Sequence, residues 1–284
     1  MQFLSFVPDA LMVKLQYRIK TGRKLDLKNP KRFTEKLQWY KLNYREPLMA
    51  RCVDKYDVRQ YVEECGLSHI LNEIYGIYDN PKDIDFETLP NEFVIKDTLG
   101  GGGNAVLIVR DKSVMDVEKL NKQMQEWVDE PVNKKHPGRE WVYDGRKHRI
   151  IIEKFLTSDV NKGGLVDYKF FCFNGKAEYL YVIADREVGK KAGVAIYDMS
   201  YNRLDVCRVD EVPLLREVEK TSNFDELVSV AERLAAPFPE ARIDLYNVDN
   251  QILFSEITFF DGSGYMTFEP DEFDYVLGKN FIIN

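Results

Sequence analysis

Arg242-Ile-Asp-Leu-Tyr-Asn-Val-Asp-Asn-Gln-Ile-Leu-Phe-Ser-Glu-Ile-Thr258 is the stretch on which the reading of this 284-residue chain turns. Alternation of polar and apolar residues on both sides of Asp249–Gln251 reads as a β-hairpin. The turn decides what the hairpin presents. An odd-numbered loop sets Asp244 opposite Glu256 and Arg242 opposite Thr258 on one face, with Ile243, Leu245 and Ile257 on the other. A two-residue turn sends the two carboxylates to opposite faces. If they do face each other, they repel unless a positive charge lies between them. A hard cation with oxygen preference, Mg²⁺, is the economical answer, and a solvated outer hairpin face is the alternative.

Three upstream stretches carry related chemistry. Phe93-Val-Ile-Lys96 runs into Asp97-Thr-Leu-Gly-Gly-Gly-Gly-Asn104, a strand that ends in a lysine and enters a glycine tract. Glycines let successive backbone N–H groups surround phosphate oxygens, although the same tract also reads as a plain flexible turn. It lacks the Gly-Lys-Ser/Thr of a Walker loop and the GxGxxG of a dinucleotide fingerprint. Arg149-Ile-Ile-Ile-Glu-Lys-Phe-Leu156 is a strand of buried type whose end offers a backbone donor and acceptor to an adenine edge. Asp167-Tyr-Lys-Phe-Phe-Cys-Phe-Asn-Gly-Lys176 ends in Asn174-Gly175, a strong two-residue hairpin signal. Asp167 and Lys169 share one strand face there, either on an exposed edge or lining a cleft.

The remaining pattern is mixed. Strands are expected at Phe93–Lys96, Ala105–Val109, Ile150–Phe155, Tyr168–Phe173, Ala177–Ile183, Arg242–Asn247 and Gln251–Phe259, with helices around Val117–Val128 and Phe224–Ala235. Earlier helices are expected from Pro8 to Ile19, from Thr34 (as N-cap) to Tyr44, and from Asp54 to Glu64, stopped by Gly66. Helices mixed with antiparallel hairpins give an α+β fold class.

Charge is unevenly placed. The chain carries −7 overall. Residues 1–36 hold Lys14, Arg18, Lys20, Arg23, Lys24, Lys28, Lys31, Arg32 and Lys36 against Asp9, Asp26 and Glu35, which leaves the excess of negative charge in the body. An acidic body argues against nucleic acid as partner. Leu11, Leu15 and Ile19 recur at helical spacing beside Lys14 and Arg18. This basic amphipathic helix either packs on the body with a solvated basic face or makes peripheral contact with an anionic membrane, a lipid-linked anionic substrate or a polysaccharide-synthesis partner. Cys52, Cys65, Cys172 and Cys207 show no CxxC spacing and read as free thiols of a reducing compartment. With no long apolar run and no signal-peptide pattern at Met1–Ser5, the expected location is the cytoplasm, with peripheral contact at the inner membrane face as the variant.

The order of these parts resembles the ATP-grasp superfamily, and most closely its TupA-like group, associated with teichuronopeptide and capsular polysaccharide synthesis. The resemblance rests on Phe33-Thr-Glu-Lys-Leu-Gln-Trp-Tyr-Lys41, Cys52-Val-Asp-Lys-Tyr56, Phe93-Val-Ile-Lys96, Arg149-Ile-Ile-Ile-Glu153, Asp167-Tyr-Lys-Phe-Phe-Cys-Phe-Asn-Gly-Lys176 and Arg242-Ile-Asp-Leu-Tyr246. It implies an ATP-grasp fold made of a helical segment 1–50, a nucleotide-binding subdomain 51–156 and a metal-binding, catalytic subdomain 157–284.

It also implies roles. Lys55 and Lys96 would hold ATP phosphates under a loop containing Gly102, Gly103 and Asn104. Glu153, Phe155 and Leu156 would form the adenine hinge, and Asp167 with Lys169 would complete the nucleotide site. Arg242 would stabilise an acyl phosphate, while Asp244 and Glu256 would bind Mg²⁺, with Thr258 where many relatives carry an Asn ligand. The implied activity is an ATP- and Mg²⁺-dependent, ADP-forming carboxylate–amine ligase. Its acid would be a uronic acid of a surface polysaccharide or precursor, and its amine an amino acid or amino alcohol. Glycosyl transfer and sugar phosphotransfer are the alternatives.

Overall fold

The computed structural model describes residues 6–101, 105–132, 135–157, 164–185 and 191–283. Gly102, Gly103 and Asn104 of the expected phosphate loop therefore lie outside the described residues. Seven helices are described: α1 (Asp9–Thr21), α2 (Phe33–Asn43), α3 (Pro47–Cys52), α4 (Val58–Glu64), α5 (Val117–Val128), α6 (Phe224–Ala235) and α7 (Glu272–Asn280). The first strands are β1 (Ile74–Tyr78), β2 (Phe93–Asp97), β3 (Val106–Val109), β4 (Ile150–Lys154), β5 (Asp167–Phe173) and β6 (Lys176–Ala184). Then come β7 (Gly193–Asp198), β8 (Cys207–Arg208), β9 (Val212–Pro213), β10 (Glu240–Val248), β11 (Gln251–Thr258) and β12 (Phe268–Glu269). The class is α+β, as expected.

The chain forms two compact units. One comprises residues 47–136 and 141–156, and the other residues 1–46, 137–140 and 157–284. The first 46 residues thus cluster with the C-terminal half rather than forming a body of their own.

The smaller unit is built on an antiparallel sheet ordered β1-β4-β2-β3. Alternation puts Phe93, Ile95, Ile150 and Ile152 on one face, where they bury against Met124 of α5 and Phe86. β1 carries no expectation from the sequence because it is an edge strand, half-buried throughout and broken by Gly76, beside which its pairing shifts. The helix expected from Asp54 to Glu64 is α4, which starts at Val58, and α3 before it carries no expectation from the sequence. Asp54 holds the turn between them by accepting from the backbone N–H groups of Tyr56 and Asp57 at 2.9 and 3.0 Å.

The larger unit has a six-stranded sheet ordered β11-β10-β5-β6-β7-β9, antiparallel except for β7 with β9. The expected Asn174-Gly175 turn forms with φ of 50° and 75°, the mirror-image turn that suits strand twist. α6 buries Phe224, Leu227, Val230, Ala231 and Leu234 on one face of the sheet. On the other face Phe171 and Phe173 meet Phe33 of α2 edge-on, at centroid distances of 6.1 and 5.7 Å. Thr34 is not the α2 cap. It is fully buried, and Asp274 of α7 accepts from both its backbone N–H (3.0 Å) and its hydroxyl (2.8 Å). Glu35 supplies the other half of the helix start by accepting from the N–H groups of Lys31 and Arg32.

Helix α1 forms where expected, but the face it packs on the body is not the Leu11–Leu15–Ile19 row. Met12, Val13 and Tyr17 face the body, and Leu11, Leu15 and Ile19 do not.

Candidate functional site

In the smaller unit, β2 and β4 pair so that Val94 lies opposite Glu153 and Lys96 opposite Ile151. Lys96 and Glu153 therefore project from one sheet face at diagonal positions, and the ammonium donates to Glu153 Oε2 at 2.5 Å. Lys55 lies outside any helix. Its backbone N–H donates to the Thr98 carbonyl at 2.9 Å and its ammonium to the carbonyl of Gly100, so this lysine sits against the entrance of the glycine tract. Phe155 and Leu156 follow β4, half-buried, with the Arg110 guanidinium 4.8 Å above the Phe155 ring. Beside Lys55, Arg149 spans Asp54 (3.0 Å) and Asp57 (2.7 Å), and Arg146 reaches Asp57 at 2.7 Å. The sequence shows Arg149 as a strand start and says nothing of this cluster.

In the larger unit the strand register does the assembling. Asp244 of β10 stands opposite both Lys169 of β5 and Glu256 of β11, and Arg242 opposite Phe171 and Thr258. β5 is a central strand, buried along its whole length, so Asp167 and Lys169 are not on an exposed edge. Lys169 bridges Asp244, Asp167 at 3.3 Å and Glu256 at 3.9 Å. Arg242 donates through Nε and Nη2 to the two oxygens of Asp244, both at 2.7 Å, and Nη2 also reaches Glu256 (3.3 Å) and the Thr258 hydroxyl (3.2 Å). Its Nη1 donates to Asp261, which also binds Arg208 at 3.1 Å.

Burial strengthens these pairs. It pushes Asp244 up to about 6, against the pull of Arg242 and Lys169, which leaves the carboxylate ionised at neutral pH. Burial alone would lower Lys169, but Asp167 and Asp244 outweigh it and hold its pKa above the ordinary value. Burial likewise opposes ionisation of Asp261, and Arg208 and Arg242 outweigh it, so its pKa is depressed.

The positive charge required between Asp244 and Glu256 is thus provided by Lys169 and Arg242, so facing carboxylates alone no longer demand a metal. Among the described residues no group of three or more His, Cys, Asp or Glu side chains is arranged to hold a metal ion. The donor set is nevertheless all oxygen: two carboxylates and the Thr258 hydroxyl on one sheet face. Asp167, Asp244, Glu256 and Asp261 also outnumber Lys169 and Arg242, and Arg208 is balanced by Asp210. The residues fit a divalent cation in kind and in charge without forming a finished cage.

A family model described as TupA-like ATP-grasp matches residues 35–282. The chain belongs to the TupA-like ATP-grasp family. This membership assigns its α+β architecture to the ATP-grasp fold. ATP-grasp ligases as a group use ATP and Mg²⁺. No curated protein matches this TupA-like chain. Among solved structures it is similar to the D-alanine–D-alanine ligase of Bacillus anthracis (20% identity, 74% of this chain and 57% of that one, TM-score 0.43). It is also similar to the ATP-grasp ligase PsnB complexed with minimal precursor (13%, 80% and 59%, 0.42). A third is the Staphylococcus aureus N5-carboxyaminoimidazole synthetase complexed with ADP (12%, 79% and 50%, 0.43). The chain therefore spans between 50% and 59% of each of these proteins.

Two residues of the polar face escaped the sequence reading. Asp261 lies three residues beyond β11, and Arg208 is on a two-residue strand, so neither belongs to a periodic run. Their only signal is that each is a charged residue next to a strand end.

Proposed function

We propose that this chain is an ADP-forming, ATP-dependent carboxylate–amine ligase acting on a uronic acid of a surface polysaccharide or its precursor. The observation that carries the reading is the buried face on which Lys169, Arg242, Asp244, Glu256 and Thr258 converge. Family membership supports the ligase class, and the association of the TupA-like group with teichuronopeptide and capsular polysaccharide synthesis supports the acid.

Lys55 and Lys96 would bind nucleotide phosphates, and the chain leaving β4 at Phe155 and Leu156 would receive the adenine, with Asp167 toward the ribose. Lys169 and Arg242 present fixed positive charge to the oxygens of a transferred phosphoryl group. A substrate carboxylate oxygen forms the new bond to the γ-phosphorus as the bond to ADP breaks. The amine then attacks the acyl carbon, phosphate leaves and the amine proton passes to solvent. Mg²⁺, held by Asp244, Glu256 and Thr258, would supply charge neutralisation for the phosphates when bound. Asp261 keeps the Arg242 fork in its plane.

The test is incubation with ATP, Mg²⁺, a uronic acid glycoside and a pool of amines, followed by mass spectrometry. An amide product with ADP is expected. Phosphorylated sugar without an amine adduct would reassign the chain to phosphotransfer, transfer from a nucleotide sugar would reassign it to a glycosyltransferase, and AMP release would contradict the acyl-phosphate route.

A further inference from the structure

Helix α1 has two apolar arcs. Met12, Val13 and Tyr17 are buried, and Val13 and Tyr17 pack with Leu25 and Tyr265. On the opposite arc Leu11 (59% exposed), Leu15 (50%) and Ile19 (72%) line up at every fourth position, and Phe6 just before the helix is 81% exposed. Solvated helix faces are normally polar, so a run of three branched aliphatic side chains facing water along one helix is a surface without a partner among the described residues.

The charges around it are sorted. Arg23 and Arg32 are tied to Asp271 and Asp274, and Lys36 donates to the Gly278 and Phe281 carbonyls. The other cations of residues 1–36, namely Lys14, Arg18, Lys20, Lys24, Lys28 and Lys31, are exposed. Of the three acids in that stretch, Asp9 faces Arg139 at 3.3 Å and Glu35 is buried at the α2 start, which leaves Asp26. By helical spacing Lys14 and Arg18 lie immediately beside the Leu11–Leu15–Ile19 row.

We propose that this face of α1 docks on an anionic phospholipid bilayer. An interfacial helix lies in the membrane plane with its apolar side chains about 5–10 Å deep and its cations at the headgroups. Three aliphatic side chains with cations at their flank have that form. A second copy of the chain is a poorer occupant, because a two-fold contact repeats the same patch on both sides and would bring Lys14 and Arg18 toward their own counterparts. The excess negative charge elsewhere in the chain does not prevent docking, since charges beyond about 8 Å are screened at physiological salt. The docking would hold the enzyme where lipid-linked precursors are, yet it stands independently of the ligase reading.

The test is co-sedimentation of the full chain with phosphatidylcholine vesicles and with phosphatidylglycerol-rich ones. Binding is expected to the anionic vesicles only, weakened by salt. L11Q/L15Q/I19Q and the pair K14E/K24E should each lower it at least about tenfold, with the circular-dichroism melt unchanged because all five side chains are exposed. Equal binding to both vesicle types, or wild-type binding by the triple variant, would overturn the proposal. So would self-association in light scattering that the triple variant abolishes without any vesicle binding, which assigns the stripe to a second copy.

Discussion

Asp244 and Glu256 face each other across β10 and β11 although the turn that joins these strands has two residues, Asp249 and Asn250. Both turn residues have positive φ, 52° and 66°, the mirror-image hairpin geometry. Such a turn pairs Val248 with Gln251 and Leu245 with Phe254, and continued in that register it would send the carboxylates to opposite faces. A bulge between Asp244 and Leu245, which leaves Ser255 of β11 unpaired, shifts the register by one. It returns Glu256 and Thr258 to the Arg242 face and Ile257 to the core.

Ser255 is the extra residue of this bulge, so its deletion should be tolerated. The deletion joins Phe254 directly to Glu256, which keeps Asp244 opposite Glu256, Arg242 opposite Thr258 and Ile257, now 3% exposed, in the core. A change of no more than about 1 kcal/mol in urea denaturation is expected, with ATP turnover retained. A loss of about 3 kcal/mol or more with turnover abolished would show that the bulge geometry itself, and not the register alone, holds the polar face.

Lys169 is the hub of the same face, and it tests how the charges are coupled. Lys169→Met leaves Asp244 fully buried with Arg242 as its remaining cation and should cost about 3–5 kcal/mol. Adding Asp244→Asn removes the uncompensated charge. The double variant is expected to be more stable than Lys169→Met alone, and a double-mutant cycle by thermal melting measures the coupling. Additive losses would contradict a shared ion-pair network.

How much of this was legible follows from range. Alternation and turn residues are local, so α5, α6, both hairpins and the one-face grouping of Arg242, Asp244, Glu256 and Thr258 could be read from the chain. The grouping was reached under an odd loop, whereas the structure reaches it through a two-residue turn and a bulge, which leaves no mark that distinguishes it in Leu253–Ile257. Contacts between distant segments were not legible. Asp274 capping α2, Asp261 bracing Arg242 and Lys169 filling the place given to a metal all depend on residues brought together by the sheet. The orientation of α1 illustrates the same limit. Its two apolar arcs both have helical spacing, and only packing decides which is buried.

Glu240 also points to a measurable pH dependence. It lies on the Arg242–Asp244 side of β10 but opposite Phe173, fully buried, and neither carboxyl oxygen has a hydrogen-bond partner among the described residues. Burial raises its pKa well above the ordinary 4.5, Asp261 adds to that and Arg242 opposes it. Tyr40 donates to its backbone carbonyl, and the charge of Glu240 adds to the burial that raises both the Tyr40 phenol and the Cys172 thiol. With the folded pKa raised, the stability associated with the neutral acid is complete below about pH 4.5 and is lost as pH rises toward the folded value. Glu240→Gln should match wild type near pH 4 and exceed it increasingly at higher pH, by about 1.4 kcal/mol per unit within that window. Parallel melting curves at all pH values would mean that Glu240 is not held neutral.

Asp261 offers the sharpest separation of positioning from binding. It is 2% exposed and joins Arg242 to Arg208, so it fixes the guanidinium plane from the side opposite Asp244 and Glu256. Asp261→Asn keeps the shape and removes the charge that holds both arginines. Arg208 retains Asp210 at 2.7 Å, and Arg242 retains Asp244, so the fold should survive with a loss of about 3 kcal/mol. A misplaced fork costs transition-state contacts more than ground-state ones, because small displacements of about 1 Å reduce turnover by about 10²-fold. The expectation is a fall in kcat of that order with the nucleotide Kd little changed, since Lys55 and Lys96, proposed above to hold the phosphates, are untouched. Isothermal titration with a non-hydrolysable ATP analogue beside steady-state turnover distinguishes the outcomes. Equal losses in Kd and kcat would make Asp261 part of nucleotide binding, and an unchanged kcat would remove Arg242 from the chemistry.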